Sequence, residues 1–311
     1  MLISCGDALI DFVPTIAADG RDALKPMVGG SCLNVAIGLA RLGAPAAFVG
    51  GISTDMFGQM IADHAAASGV ELRFVTRSDR QTTLAFARIV SDESHYAFYD
   101  SDTASQSWTY RRGTIPLEAV EAVHVGSTTL VNEKCASQTL RLVAVARESA
   151  TISFDPNCRP NLVKDKRSYL ARMSEFVASA DIVRMSDADF TYLYGNARYQ
   201  QKADEMLAQG ASLVVITCGI DDVVAWHRNA GQIEVAAFPV KVADTIGAGD
   251  SFQAALLFAL REQGRLAREE LGGINASELR RALSFAANCA SLTCTRPGAD
   301  SLWSRELMLG D

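Results

Sequence analysis

Short, largely apolar runs separated by helical stretches constrain this chain more than any single residue does. Leu2–Cys5, Ala46–Val49, Ala122–Val125, Thr151–Phe154, Asp181–Arg184 and Leu213–Thr217 have the length and character of strands buried on both faces. Between them Leu33–Leu42, Met56–Ser68, Cys135–Glu148 and Ala203–Gln209 repeat their apolar residues at helical spacing. A βαβα succession builds a mostly parallel sheet covered by helices on both faces. The expected fold is therefore a three-layer α/β/α sandwich, read as one domain over residues 1–311. Ligands of such sheets bind beyond the carboxyl ends of the strands, where Gly6, Asp155, Thr217 and Asp244 emerge.

Residues 12–28 and 82–108 break this rhythm. Thr83, Ala85, Ala87 and Ile89 alternate with Leu84, Phe86, Arg88 and Val90, which describes a strand with two different faces. Ser91-Asp92-Glu93-Ser94 supplies a polar turn before His95–Tyr99, so a hairpin outside the main sheet is expected. The pattern fits a small β-sheet lid and an ordinary peripheral hairpin equally well.

A net charge of -7 and the lack of a long basic run exclude a nucleic-acid or anionic-membrane surface. No apolar stretch approaches the roughly 20 residues of a membrane span, and Met1 leads straight into a strand rather than an export leader. A soluble, cytoplasmic protein is expected. Its seven cysteines include no C-x-x-C pair and its four histidines are dispersed, so reduced core thiols are expected and a structural zinc site is not.

The segment Asp244-Thr245-Ile246-Gly247-Ala248-Gly249-Asp250 precedes Phe252, Ala255, Leu256, Ala259 and Leu260, which recur at helical spacing. Glycines at a helix start expose backbone N–H groups that attract phosphate, and a carboxylate among them has a purpose if it takes a proton from an attacking hydroxyl. A helix capped by Asp250 after a glycine turn accounts for the segment equally well. Neither a G-x-x-x-x-G-K-[ST] loop, an H-R-D loop nor a G-x-G-x-x-G turn after a strand is present.

Four motifs, in order along nearly the whole chain, resemble those of the ribokinase-like (PfkB) sugar kinases: Gly29-Gly30-Ser31-Cys32-Leu33-Asn34, Asp155-Pro156-Asn157-Cys158-Arg159, Ile216-Thr217-Cys218-Gly219 and Asp244–Asp250. The resemblance implies transfer of the γ-phosphate of ATP to a sugar's primary hydroxyl, with Asp250 as base and Gly247, Ala248 and Gly249 as anion hole. It implies sugar contacts at Asp11, Gly29, Gly30, Asn34, Tyr99 and Arg159, and nucleotide contacts at Asn157, Ser186, Thr217, Gly219 and Asn288. Magnesium would arrive with ATP, with Asp189 acting through water, where Ser186-Asp187-Ala188-Asp189 replaces the family's N-x-x-E. If the chain resembles potassium-dependent members, the carbonyls of Asp244 and Ile246 would hold that ion. Family dimers form through the lid, which the alternation over Thr83–Val90 permits.

Two further departures are Ser53-Thr54-Asp55-Met56-Phe57-Gly58, in place of G-D-D-x-x-G, and Ala254, in place of a glycine. Fructokinases and 2-keto-3-deoxygluconate kinases both resemble the chain, particularly in Gly6–Pro14 and Asp155–Arg159. Asp100 after Phe98-Tyr99, where kinases of the acidic sugar carry arginine, favours fructose, while Arg159 keeps the sugar acid open. A nucleoside kinase and a catalytically idle sugar-binding regulator are the remaining alternatives.

Overall fold

The computed structural model describes residues 1–90, 93–219 and 222–307. The first half runs β1 (Leu2–Cys5), β2 (Leu9–Ile16), β3 (Asp22–Gly29), α1 (Ser31–Leu42), β4 (Ala46–Val49), β5 (Gly51–Ser53), α2 (Met56–Ala67), β6 (Thr76–Ser78), β7 (Thr83–Val90), β8 (Glu93–Tyr99), β9 (Ala122–Gly126) and α3 (Glu133–Ala146). It continues through β10 (Thr151–Asp155), α4 (Lys166–Ser179), β11 (Ile182–Ser186), α5 (Asp187–Tyr194), α6 (Tyr199–Gln209), β12 (Leu213–Thr217), β13 (Asp222–His227) and β14 (Gly231–Ala236). Four helices close the chain: α7 (Ala248–Glu262), α8 (Arg268–Gly272), α9 (Ala276–Thr293) and α10 (Ser304–Leu307).

Eight strands form the central sheet in the order β14-β13-β12-β11-β10-β9-β1-β4. Pairing is parallel from β4 to β12, as the apolar runs require, and antiparallel where β13 and β14 extend the edge. One face buries Val123, Ile152 and Phe154 against residues such as Leu142, Phe176 and Met206 of α3, α4 and α6. The other buries Leu2, Ile182 and Leu213 against Leu39, Leu256 and Leu283 of α1, α7 and α9. Full burial of side chains this size contributes roughly 1.5–3 kcal/mol each, and neither layer could hold its helices without the sheet. The three-layer sandwich is thus present. Among the described residues no helix is long and apolar enough to cross a membrane.

A separate four-stranded sheet has the order β3-β2-β7-β8. Asp11 pairs with Ala85, and Ala85 with Phe98, so these three residues lie in one row on one face. Of the expected polar turn, Ser91 and Asp92 lie outside the described residues. Asp55 of the altered G-D-D-x-x-G stretch caps α2 by accepting from the Gly58 amide at 2.7 Å, and it also accepts from the Thr82 amide at 2.8 Å. That carboxylate therefore ties α2 to the segment entering β7. Ala254 faces Gly38 of α1 so closely that a Cβ on Gly38 would lie 2.7 Å from its methyl. The methyl absent from α1 makes room for the one present on α7.

Candidate active site

Five carboxyl ends of the central sheet, the row on the small sheet and the start of α7 enclose a cleft of about 910 Å³. At its centre is the helix start. Phe252, Ala255, Leu256, Ala259 and Leu260 are buried along one stripe of α7, which draws the helix onto the sheet and leaves its N-terminus at the cleft. Gly247 takes φ 78° as the N-cap, and no side chain caps the helix. Left-handed backbone there suits glycine, and an added Cβ would also strike Ala299 at 2.6 Å. Ala248 N–H turns back to the Thr245 carbonyl at 3.3 Å, so the amides of Gly249 and Asp250 are the groups best placed for an anion.

Asp250 is 7% exposed, and among the described residues its hydrogen-bond partners are neutral side chains. Its Oδ1 accepts from Ser31 Oγ at 2.6 Å and its Oδ2 from Asn34 Nδ2 at 2.8 Å. Burial pushes its carboxyl up to about 6, against the opposing pull of the Ser31 and Asn34 hydrogen bonds. Asp11 is pushed up to about 7, again chiefly by burial, with Arg159 opposing and Asp7 and Asp250 adding repulsion. A carboxyl poised near neutrality in a cleft has the properties of a general base.

Gly29 makes room for Asp11, since a Cβ on that residue would meet Asp11 Oδ2 at 2.1 Å. Beside it, Asp7 accepts from Cys32 N, Ser127 Oγ and Thr128 Oγ1 at 3.1, 2.8 and 3.1 Å. Asp7, Asp11 and Asp250 therefore surround one end of the cleft, and Arg159, anchored on the carbonyls of Asn157 and Cys158, is the cation facing them. Asn34 spends its amide on Asp250. Asn157 accepts from Ser127, which ties it to the Asp7 cluster, and its backbone amide donates to Asp155 Oδ1 at 2.9 Å.

The other end of the cleft is walled by Phe238, Val242, Ala287, Ala290, Ser291 and Cys294. Thr217 and Gly219 lie between the two ends, after β12. Arg184 crosses beneath, donating to Asp155 Oδ2 and Thr217 Oγ1, each at 2.6 Å. Arginine has no acceptor, so Thr217 must accept from it, and its own proton stays available to a ligand.

Several sequence expectations need correction. Tyr99 lies 64% exposed on the opposite face of the small sheet, edge-on to Phe86, because strand residues alternate. Tyr96 and Phe98 line the cleft instead. Asn288 is outside the lining, one residue around α9 from the face formed by Ala287, Ala290, Ser291 and Cys294. Ser186 and Asp189 form the capping box of α5, and the second Asp189 oxygen accepts from the Cys158 amide at 2.7 Å. Burial and then the nearby Asp155 raise the Asp189 carboxyl; it braces two backbone segments, and both it and Ser186 line the cleft. Asp100 is not in the lining either, whereas Asp7 and Asp11 are. Sequence reasoning had overlooked Arg184, Tyr96 and the roles of Asp7 and Ser31. A charged residue within an otherwise apolar, buried run is the available signal for Arg184.

Comparison with known proteins agrees with this architecture. The profile of the pfkB family carbohydrate kinases matches residues 2–305. A fructokinase of Rhizobium leguminosarum bv. trifolii is 35% identical over 280 residues, covering 90% of this chain and 86% of its own. The crystal structure of a Xylella fastidiosa fructokinase with bound ATP has a TM-score of 0.90 at 27% identity, covering 99% of this chain and 97% of that one. A Vibrio cholerae O395 fructokinase bound to fructose, ADP and calcium gives 0.81 at 26% identity, with 96% and 94% covered.

Proposed function

The chain belongs to the pfkB family of carbohydrate kinases and is an ATP-dependent sugar kinase, and from that premise we propose that its acceptor is fructose, phosphorylated on a primary hydroxyl. The observation that carries the proposal is Asp250, buried and near-neutral in its proton affinity, at an uncapped helix start. In this reading the acids Asp7 and Asp11 favour a neutral polyol, with Asp11 accepting from its hydroxyls and Gly29 and Gly30 leaving it room. Arg159 balances their charge.

Adenine would lie against the apolar wall of Phe238, Val242 and Ala290, and phosphates would run past Thr217 and Gly219 toward α7. Asp250 takes the hydroxyl proton as the oxygen attacks phosphorus. The Gly249 and Asp250 amides then face the charge on the moving group, a preorganised contribution worth roughly 3–4 kcal/mol per donor. Closure of the small sheet over the cleft would exclude water, which is the purpose of a lid.

Among the described residues no cluster of three or more His, Cys, Asp or Glu side chains could cage a metal. In our reading magnesium would arrive with ATP and be held by phosphate oxygens and water, where it would offset phosphate charge. The carbonyls of Asp244 and Ile246 remain our assignment for a potassium ion. Asp244 stabilises that turn, its two carboxylate oxygens accepting from the Ile246 and Gly298 amides at 3.0 and 2.8 Å. We also assign the protein to the cytoplasm, and a homodimer to the exposed face of the small sheet that carries Ile16, Leu24 and Tyr99.

The test is ADP release with ATP and a panel of fructose, 2-keto-3-deoxygluconate and nucleosides. Preferential turnover of fructose supports the assignment; turnover confined to the sugar acid or a nucleoside overturns it.

A further inference from the structure

Residues 298–301 form a hook that touches the anion-binding turn at three points. Gly298 N–H donates to Asp244 Oδ2 at 2.8 Å. Ala299 packs on Gly247, within 2.6 Å of where a Cβ would stand. Ser301 Oγ lies 3.0 Å from Ser251 Oγ, which Thr293 Oγ1 reaches at 2.9 Å. One buried cation holds the hook in turn. Arg41 of α1 is 6% exposed, and its Nη1 donates to Asp300 Oδ1 at 2.5 Å and to the Ser301 carbonyl at 2.7 Å. Its Nε reaches Ser68 Oγ at 3.2 Å, and its guanidinium lies 5.1 Å from the centre of the Trp303 ring. Neither Arg41 nor Asp300 lines the cleft.

The turn has bonds of its own, Ile246 N–H to Asp244 Oδ1 and Ala248 N–H to the Thr245 carbonyl, but a helix start without a side-chain cap, entered through a left-handed glycine, also takes its shape from what packs on it. We propose that Arg41 is a positioning residue for phosphoryl transfer: by clamping Asp300 and Ser301 it presses the hook onto Asp244, Gly247 and Ser251, and so fixes where the Gly249 and Asp250 amides point. A small misplacement of these donors weakens their contact with the transferring phosphoryl group more than it weakens sugar binding, which in the proposed reading of the cleft rests on side chains outside α7, Asp11 foremost. The kinetic part of this inference rests on the fructokinase reading. The structural part does not.

The test uses the full chain with Arg41→Met, which keeps much of the buried stem, and Asp300→Ala. Asp300 is 48% exposed, so loss of Arg41 strands no buried carboxylate. In both variants kcat with ATP and fructose should fall about tenfold or more while KM for fructose changes by less than about threefold. Amide hydrogen exchange at Ser251 and Phe252, in the first turn of α7, should accelerate about tenfold. Parental exchange rates in the folded variants overturn the clamp, as does a loss of kcat that merely follows the folded fraction. If the parent chain does not turn over fructose, accelerated exchange upholds the clamp and rejects the sugar assignment; unaltered exchange rejects the clamp.

Discussion

Ser31 Oγ donates a 2.6 Å hydrogen bond to Oδ1 of Asp250 across 219 positions of sequence, joining the N-terminus of α1 to that of α7. The bond stabilises the carboxylate form and opposes the burial that raises its proton affinity. With the Asp250 carboxyl at about 6 and Asp11 at about 7, kcat/KM should rise with pH across this interval and level off above it. The two acids repel each other, so the limb reports the pair. Ser31→Ala should move the limb to higher pH, because the carboxylate loses a donor. A rate–pH profile of both proteins checks this, and coincident limbs would remove Ser31 from the description of the base.

Asp250→Asn should lower kcat by about 10²–10⁴-fold with little change in nucleotide affinity, as expected when a general base is lost. Single-turnover kinetics and calorimetric titration of ATP separate the two effects. Activity near that of the parent would reject the assigned base.

The same substitution should stabilise the protein at pH 8. Folding raises the Asp250 carboxyl from 3.8 to about 6, so stability is lost as pH rises through that range and the buried group ionises. An amide does not ionise, and Asn34 can turn its own amide over to face it. Thermal midpoints should differ by a few degrees at pH 8 and converge toward pH 4. A variant less stable than the parent at pH 8 would show that the ionised form is better solvated than its burial implies.

Asp11→Ala should raise KM for fructose roughly 10–100-fold, since hydrogen bonds to a charged group contribute roughly 1.5–3 kcal/mol. The KM for ATP should hold. Equal effects on both substrates would point to disturbance of the small sheet.

If the proposed homodimer forms through the small sheet, the parent should run as a dimer, and Tyr99→Lys together with Ile16→Lys should convert it into monomers. Both side chains are 64% exposed, and two charges in a desolvated apolar contact are strongly unfavourable. Light scattering behind a sizing column reads the mass, and an unchanged mass would place any dimer contact elsewhere.

The central sheet was legible because strands buried on both faces must be apolar throughout, whatever their neighbours. Leu2–Cys5 and Leu213–Thr217 occupy the expected residues without adjustment. The antiparallel edge was not, since Gly231–Ala236 buries only Ile233 and Val235 and its pattern resembles a surface loop. Asp250, Asp11 and the glycines carried signals because backbone approach and buried acids admit few residue types.

What the amino-acid order alone determined is the layered fold and the set of residue types available for chemistry, since both follow from burial and from spacing along the chain. Which groups meet was decided by the tertiary structure. Alternation on β8 turned Tyr99 away and Tyr96 inward, helical rotation moved Asn288 off the cleft, and Asp189 became a cap once α5 began beside it. A side chain's partners depend on the relative placement of elements distant in sequence, and that placement is fixed only when the helices settle on the sheet.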